Sequence, residues 1–80
     1  MLLDILTPSE RLVEALEVSA VFLPGSAGQF EVLSHHAPII SSLEAGVIRY
    51  RRGEQESEVE VASGFAIVSD DHIKACVIKG

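Results

Sequence analysis

The sequence predicts an all-β sandwich or barrel, and three observations carry that prediction. Turn-forming residues recur at Pro8, Pro24-Gly25, Gly28, Pro38, Gly46, Gly53 and Gly64, spaced on average by about 8 to 12 residues, as in short strands joined by tight turns. Between them apolar and polar side chains alternate, and a period of two lays one face of a strand on a core. Hydrophobic residues make up 48% and charged residues 22% of the chain, which excludes a disordered tail or a collagen-like fibre. Eighty residues suffice for one core, so residues 1–80 read as a single domain. At this size only about 60 to 65% of the unfolded chain's surface can be buried, so stability is thin and a partner is expected.

Each element follows from local pattern. Leu16, Val18, Ala20 and Phe22 alternate with Glu17 and Ser19, and Phe30 and Val32 continue the alternation after Gly28. Gly25-Ser26-Ala27-Gly28 reads as a tight turn between two strands; it lacks the lysine and the following helix of a phosphate loop. Val47 to Val61 forms two alternating runs about Gly53-Glu54, the two-residue loop of a hairpin with glycine at the positive φ of a type II′ turn. That register sets Arg51 against Glu56, Arg49 against Glu58 and Ile48 against Val59. Four glutamates between Glu54 and Glu60 then lie along a solvated face beside arginines and make no cation site. Phe65–Val68 and Ile73–Ile78 are two more short strands about the turn Ser69-Asp70-Asp71-His72. One segment conflicts: Thr7-Pro8-Ser9-Glu10 has the form of a helix capping box, and Leu12, Val13 and Leu16 share a helical face, so local propensity alone makes residues 8–17 a helix.

Several functions are excluded by composition. Six basic against 12 acidic residues, net −6, give no cationic surface for nucleic acid. No apolar stretch approaches the roughly 18 to 20 residues that cross a bilayer, and the opening Met-Leu-Leu-Asp lacks the basic and apolar regions of a secretory signal. Cys76 is alone, so neither an internal disulfide nor a cysteine-rich zinc site is expected, and it reads as a small buried hydrophobe. His35 and His36 are adjacent and point to opposite faces of a strand, so no metal is expected. Ser41, Ser42, the histidines and Asp70 supply residue types for a hydrolytic triad, but no Gly-x-Ser-x-Gly elbow is present. No catalytic residue and no cofactor are assigned, and a binding or structural subunit is the expectation.

The order of residues from Pro24 to Ile48 resembles the N-terminal domain of the rotary ATP synthase epsilon chain family. That family shows a Pro-Gly turn, a glycine three residues on and an apolar pair. His-Ala-Pro follows, then a branched residue, a hydroxyl residue, a leucine and a Gly before a strand; here these are Pro24-Gly25, Gly28, His36-Ala37-Pro38 and the residues to Gly46. Leu3-Asp4-Ile5-Leu6-Thr7-Pro8 resembles its opening strand and Ser63-Gly64-Phe65-Ala66-Ile67-Val68 its late glycine and strand, so the likeness covers nearly the whole chain. Two departures stand out. Ser34-His35 replaces the family's usual Pro-Gly, and the sequence ends at Gly80, where many members continue into a C-terminal helical hairpin. ATP binding and braking of rotation depend on that hairpin, so neither is expected of this sequence.

The resemblance implies a flattened sandwich of two mainly antiparallel sheets with about ten short strands, among them Glu10–Ala15 and Leu16–Leu23, which overrules the helix at 8–17. It implies a non-catalytic central-stalk subunit of the rotary proton-translocating ATP synthase, coupling the gamma subunit to the c-ring. The alpha and beta subunits are then partners only indirectly. The location implied is the cytoplasmic face of the bacterial inner membrane, with membrane association through the complex alone. Ser26, Ala27, Gly28, Gln29 and His36 fall on positions that face the ring, and Ile39, Ile40 and Leu43 are candidates for gamma, with burial an equal reading for two of those three. Arg49 and Arg51 are expected to tune the gamma orientation, and the His36 imidazole to bond to neighbouring turn carbonyls. Two rivals stand beside this reading. One is a free-standing ligand-binding β-barrel, for which an 80-residue chain with three Phe and one Tyr leaves little room; the other is a small hydrolase using Ser41 or Ser42 with His36 and Asp70.

Overall fold

A computed structural model describes residues 1–80 as eight strands: β1 Leu2–Leu6, β2 Arg11–Glu17, β3 Ala20–Gly25, β4 Gly28–Leu33, β5 Ile39–Leu43, β6 Gly46–Arg52, β7 Gln55–Ser69 and β8 His72–Lys79. There are eight strands where about ten are expected, and the stretches on either side of Ala62 form one of them. β7 runs for 15 residues, pairs with β6 through its first half and with β5 and β8 through its second, and carries a bulge between Val61 and Ser63 where it passes from one layer to the other. An extra residue bends a strand and raises its twist, which lets one strand serve both layers.

Backbone pairing thus joins all eight strands in one sheet folded on itself. The first layer is β2-β1-β8-β7-β5 and the second is β4-β3-β6-β7, with Gly25 bridging Leu43 where β3 meets β5. Every pairing is antiparallel except β1 with β8. Leu3, Ile5, Val68 and Ile73 from the first layer meet Val21, Leu23, Val32 and Ile48 from the second in one buried cluster. Fully burying such a side chain contributes about 1.5–3 kcal/mol, so this shared core holds the layers together.

Residues 11–17 are a strand, and the structure explains why they imitate a helix. Thr7 Oγ1 accepts the Glu10 N–H at 3.0 Å, the bond that opens a helix in a capping box, but here Thr7 N–H also donates to Glu10 O at 2.8 Å and closes the β1–β2 turn. Ile5 pairs with Val13 and Leu3 with Leu16, so two steps on β1 match three on β2. The bulge falls at Ala15, whose φ is 45°. It moves the next inward residue from the second to the third position, which is helical spacing produced by a strand. The strands run Arg11–Glu17 and Ala20–Gly25 where Glu10–Ala15 and Leu16–Leu23 are expected, and the break between them falls at Val18-Ser19.

The turns follow their residues. Gly53 takes φ 60° and the β6–β7 register pairs Arg51 with Glu56, Arg49 with Glu58 and Ile48 with Val59, as the alternation predicts. Asp70 and Asp71 both adopt left-handed φ, 53° and 59°, in the β7–β8 turn, where aspartate tolerates that region. His35 is left-handed as well, at φ 66°, so this histidine holds a conformation suited to the glycine that the resemblance places there.

Candidate functional site

Ser26 and Ala27 form the two-residue turn from β3 to β4, and Gly25 pairs with Gly28 beneath them. A Cβ on Gly25 would lie 2.8 Å from both the Gly28 carbonyl oxygen and the Phe30 ring, so only glycine fits that close approach. Ser26, Ala27, Gly28 and Gln29 are all exposed. His36 is exposed too, but it lies beyond the far end of β4, whose six residues span about 17 Å. There the His35 N–H donates to Asp71 Oδ1 at 2.9 Å, the His36 N–H donates to Leu33 O at 3.2 Å, and His36 Nδ1 lies 2.8 Å from the Ala37 carbonyl oxygen. The imidazole therefore contacts a turn carbonyl as expected. The five residues assigned to a ring contact occupy two opposite ends of the β3–β4 hairpin.

β5 sorts its three candidates by parity. Leu43 is buried and Ile39 packs partly buried against the core, so neither offers a free surface. Ile40 points outward and is 76% exposed. Register sets Ile40 beside Ile67, and Ser42 beside Phe65 and then Cys76, while Ser63 leads to Ile78. Phe65, Ile67 and Ile78 are all exposed, so with Ile40 they make a continuous apolar strip on the outer face of the first layer. A groove at one end of this strip is lined by Leu6, Pro8, Phe65, Cys76 and Ile78. Cys76 is half-buried in that groove wall and not in the core. Phe65, Ile67 and Ile78 are surface residues that alternation alone does not single out. The available signal was Phe65-Ala66-Ile67-Val68, apolar at both parities, which marks a strand covered on two sides.

A polar border runs along the first layer. Asp4 stands on this outer face, where its Oδ1 accepts the Ala15 N–H at 2.7 Å and its Oδ2 bonds to His72 Nε2. The Ala15 N–H and then His72 hold the Asp4 carboxyl below its ordinary value. Lys74 pairs across from both Asp4 and Ile67 and completes the border.

Arg49 and Arg51 lie on the outer face of the second layer. Their guanidinium carbons stand 4.8 and 5.7 Å from the centre of the Phe22 ring, and Arg51 Nη2 is 3.6 Å from Glu56. The arginine ladder is thus turned away from Ile40. The ladder and Ile40 lie on different layers because β6 pairs with the half of β7 that precedes the bulge and β5 with the half that follows it. The residues of a hydrolytic triad are not gathered either. Ser41 and Ser42 sit opposite Ala66 and Phe65, so Asp70, beyond the far end of β7, is about 13 Å or more away at strand spacing.

Residues 1–78 match the family model described as the ATP synthase, Delta/Epsilon chain, beta-sandwich domain. The chain belongs to that family. An ATP synthase epsilon chain of Magnetococcus marinus is 43% identical over 75 residues, covering 94% of this chain and 54% of the relative. One of Synechocystis is 38% identical over 73 residues, covering 91% and 53%. The chain spans about half the length of the curated relatives it matches. Among solved structures, the Euglena gracilis mitochondrial ATP synthase (OSCP, F1 and c-ring) holds a chain that superposes with a TM-score of 0.93 at 20% identity, over 99% of this chain and 51% of that one. The Tetrahymena thermophila mitochondrial ATP synthase central stalk and c-ring holds another, with a TM-score of 0.83 at 13% identity, over 98% and 63%. At those identities the superpositions establish the fold alone.

Proposed function

We propose that residues 1–80 act as one non-catalytic coupling domain in the central stalk of a rotary, proton-translocating ATP synthase. The gamma subunit docks on the apolar outer face of the first layer, and the Ser26–Gln29 turn, at the end of the β3–β4 hairpin away from His36, faces the c-ring. The alpha and beta subunits are reached through gamma, and the domain meets the cytoplasmic side of the bacterial inner membrane only through the complex. The observation that carries this reading is the outward strip of Ile40, Phe65, Ile67 and Ile78 on a family member of this kind. Completing the burial of four such half-exposed side chains is worth roughly 3 to 6 kcal/mol in total, enough to anchor a partner. A coupling subunit has to transmit torque without sliding, which a contiguous apolar contact on a sheet face favours. Ile39 and Leu43 support that face from within.

The test uses the assembled complex. The tagged chain, recovered from gently solubilised host membranes, is expected to bring gamma, c, alpha and beta subunits in fixed proportion, and Ile40→Asp or Ile67→Asp is expected to lower gamma recovery at least about tenfold. Recovery of no ATP synthase subunit, with the complex intact in the same membranes, refutes the function. Full recovery with both aspartate variants refutes this face as the gamma contact.

A further inference from the structure

β4 ends the second layer, and no strand pairs with its outer edge. A bare edge presents unpaired N–H and C=O groups and recruits another strand unless charge, proline or a bulge guards it. The opposite end of the pairing order, β2, is guarded, since it carries Arg11, Glu14 and the bulge at Ala15. β4, Gly28-Gln29-Phe30-Glu31-Val32-Leu33, has no proline, lysine or arginine. It pairs with β3 over its whole length without a register shift and ends on Leu33, which is 51% exposed. The neighbouring strand decides which of its backbone groups are free. Pro24 O accepts the Glu44 N–H at 2.9 Å and the Ser26 N–H donates to Ser42 O at 3.0 Å, so these two residues turn their backbone towards β5 and Gly25 turns its own towards Gly28. Bonding alternates along an antiparallel ladder, so Gly28, Phe30 and Val32 bond to β3 while the N–H and C=O of Gln29 and Glu31 point off the edge.

We propose that in the free chain β4 pairs antiparallel with β4 of a second copy, about a two-fold axis at Phe30. In that register Glu31 of each copy lies opposite Gln29 of the other, where their outward backbone groups bond reciprocally and the Gln29 amide faces the Glu31 carboxylate. Phe30, half-buried at the rim of the core, meets Phe30 of the other copy at a non-hydrogen-bonded position, the closer of the two kinds of cross-strand contact. Centring the axis on Glu31 instead sets the two Glu31 carboxylates face to face, and like charges directly opposite are destabilising, so Phe30 is the centre. The edge is thus complementary to itself, as a two-fold interface requires. Pairing covers Gln29, so paired chains withhold the turn assigned above to the c-ring and separate before assembly; that consequence alone rests on the ring reading.

Sedimentation equilibrium of the purified chain tests the pairing, in about 0.15 M salt to screen the net −6 of each copy. Between about 1 μM and 1 mM the mass is expected to rise reversibly from 8.6 kDa towards twice that value, with the Gln29 and Glu31 amides gaining protection from hydrogen exchange in step. Gln29→Glu sets carboxylates opposite each other twice in the pair and is expected to weaken dimerisation about tenfold, whereas Gln29→Lys sets opposite charges there and is expected to strengthen it about threefold. Gln29 is exposed, and urea midpoints at the lowest concentration check that both variants stay folded. A mass that stays at 8.6 kDa throughout overturns the proposal. So does a dimer that Ile40→Asp dissolves and both Gln29 variants leave unchanged, because the apolar strip is then the contact. Gln29 variants that shift the equilibrium in the same direction also overturn it, since opposite charges must act in opposite senses at this register.

Discussion

Gly64→Ala tests the packing that brings the two strands under the apolar face together. A Cβ on Gly64 would stand 2.4 Å from the Cys76 carbonyl oxygen and 2.9 Å from Val77 Cα. Both obstacles are backbone, so no rotamer change relieves them, and β8 has to move away from β7 by about 1 Å to reach ordinary contact distance. Overpacking of a well-ordered interior costs about 1–3 kcal/mol, and a displaced backbone ladder belongs at the top of that range. Alanine also restricts the unfolded chain, which returns about 0.4–1 kcal/mol, so the expected net loss is about 2–2.5 kcal/mol. For a domain of this size that lowers Tm by roughly 8 to 20 °C. Gly53→Ala is the comparison, because Gly53 sits at φ 60° with nothing within 4 Å of its Cβ position, and its cost is conformational alone, about 1 kcal/mol. Urea unfolding of the three proteins gives the midpoints and slopes directly. If Gly64→Ala loses no more than Gly53→Ala at unchanged slope, close approach of β7 and β8 is not what requires the glycine.

Further outcomes follow from the same geometry. Ile48→Ala empties a fully buried position shared by both layers and is expected to lower stability by about 2–5 kcal/mol in urea unfolding, whereas Ile40→Ser on the outer face should stay within about 0.5 kcal/mol. His35→Gly relieves a left-handed φ of 66° on a side-chain-bearing residue, and after the entropy gained by the unfolded glycine it should raise stability by about 0.5–1 kcal/mol in the same assay. Asp4, held below its ordinary value of 3.8 by the Ala15 N–H and His72, adds stability that is present above that value and lost as pH falls through the lower folded value. Asp4→Asn should therefore flatten the fall in the urea midpoint below about pH 4, and an unaltered acid limb would refute the assignment.

Alternation and turn chemistry determined much of this protein from sequence alone. The β6–β7 hairpin and its register, the Ser26-Ala27 turn, the Asp70-Asp71 turn and the all-β class were legible because each depends on neighbours or on a period of two. The order from Pro24 to Ile48 made the family legible as well. The extra residue at Ala15 was not legible, because a bulge turns strand spacing into the three-residue spacing of a helix and only pairing with Leu3 and Ile5 separates the two. Nor could sequence divide Ile39, Ile40 and Leu43, which are chemically alike; the parity of β5 against β7 put two inward and one outward. The tertiary structure alone set His36 and Gln29 at opposite ends of β4 and turned Arg49 and Arg51 away from Ile40. The physical reason is the same in each case. Side-chain chemistry fixes what a residue can bury or bond, but a bulged strand shared by two layers fixes which surface it reaches.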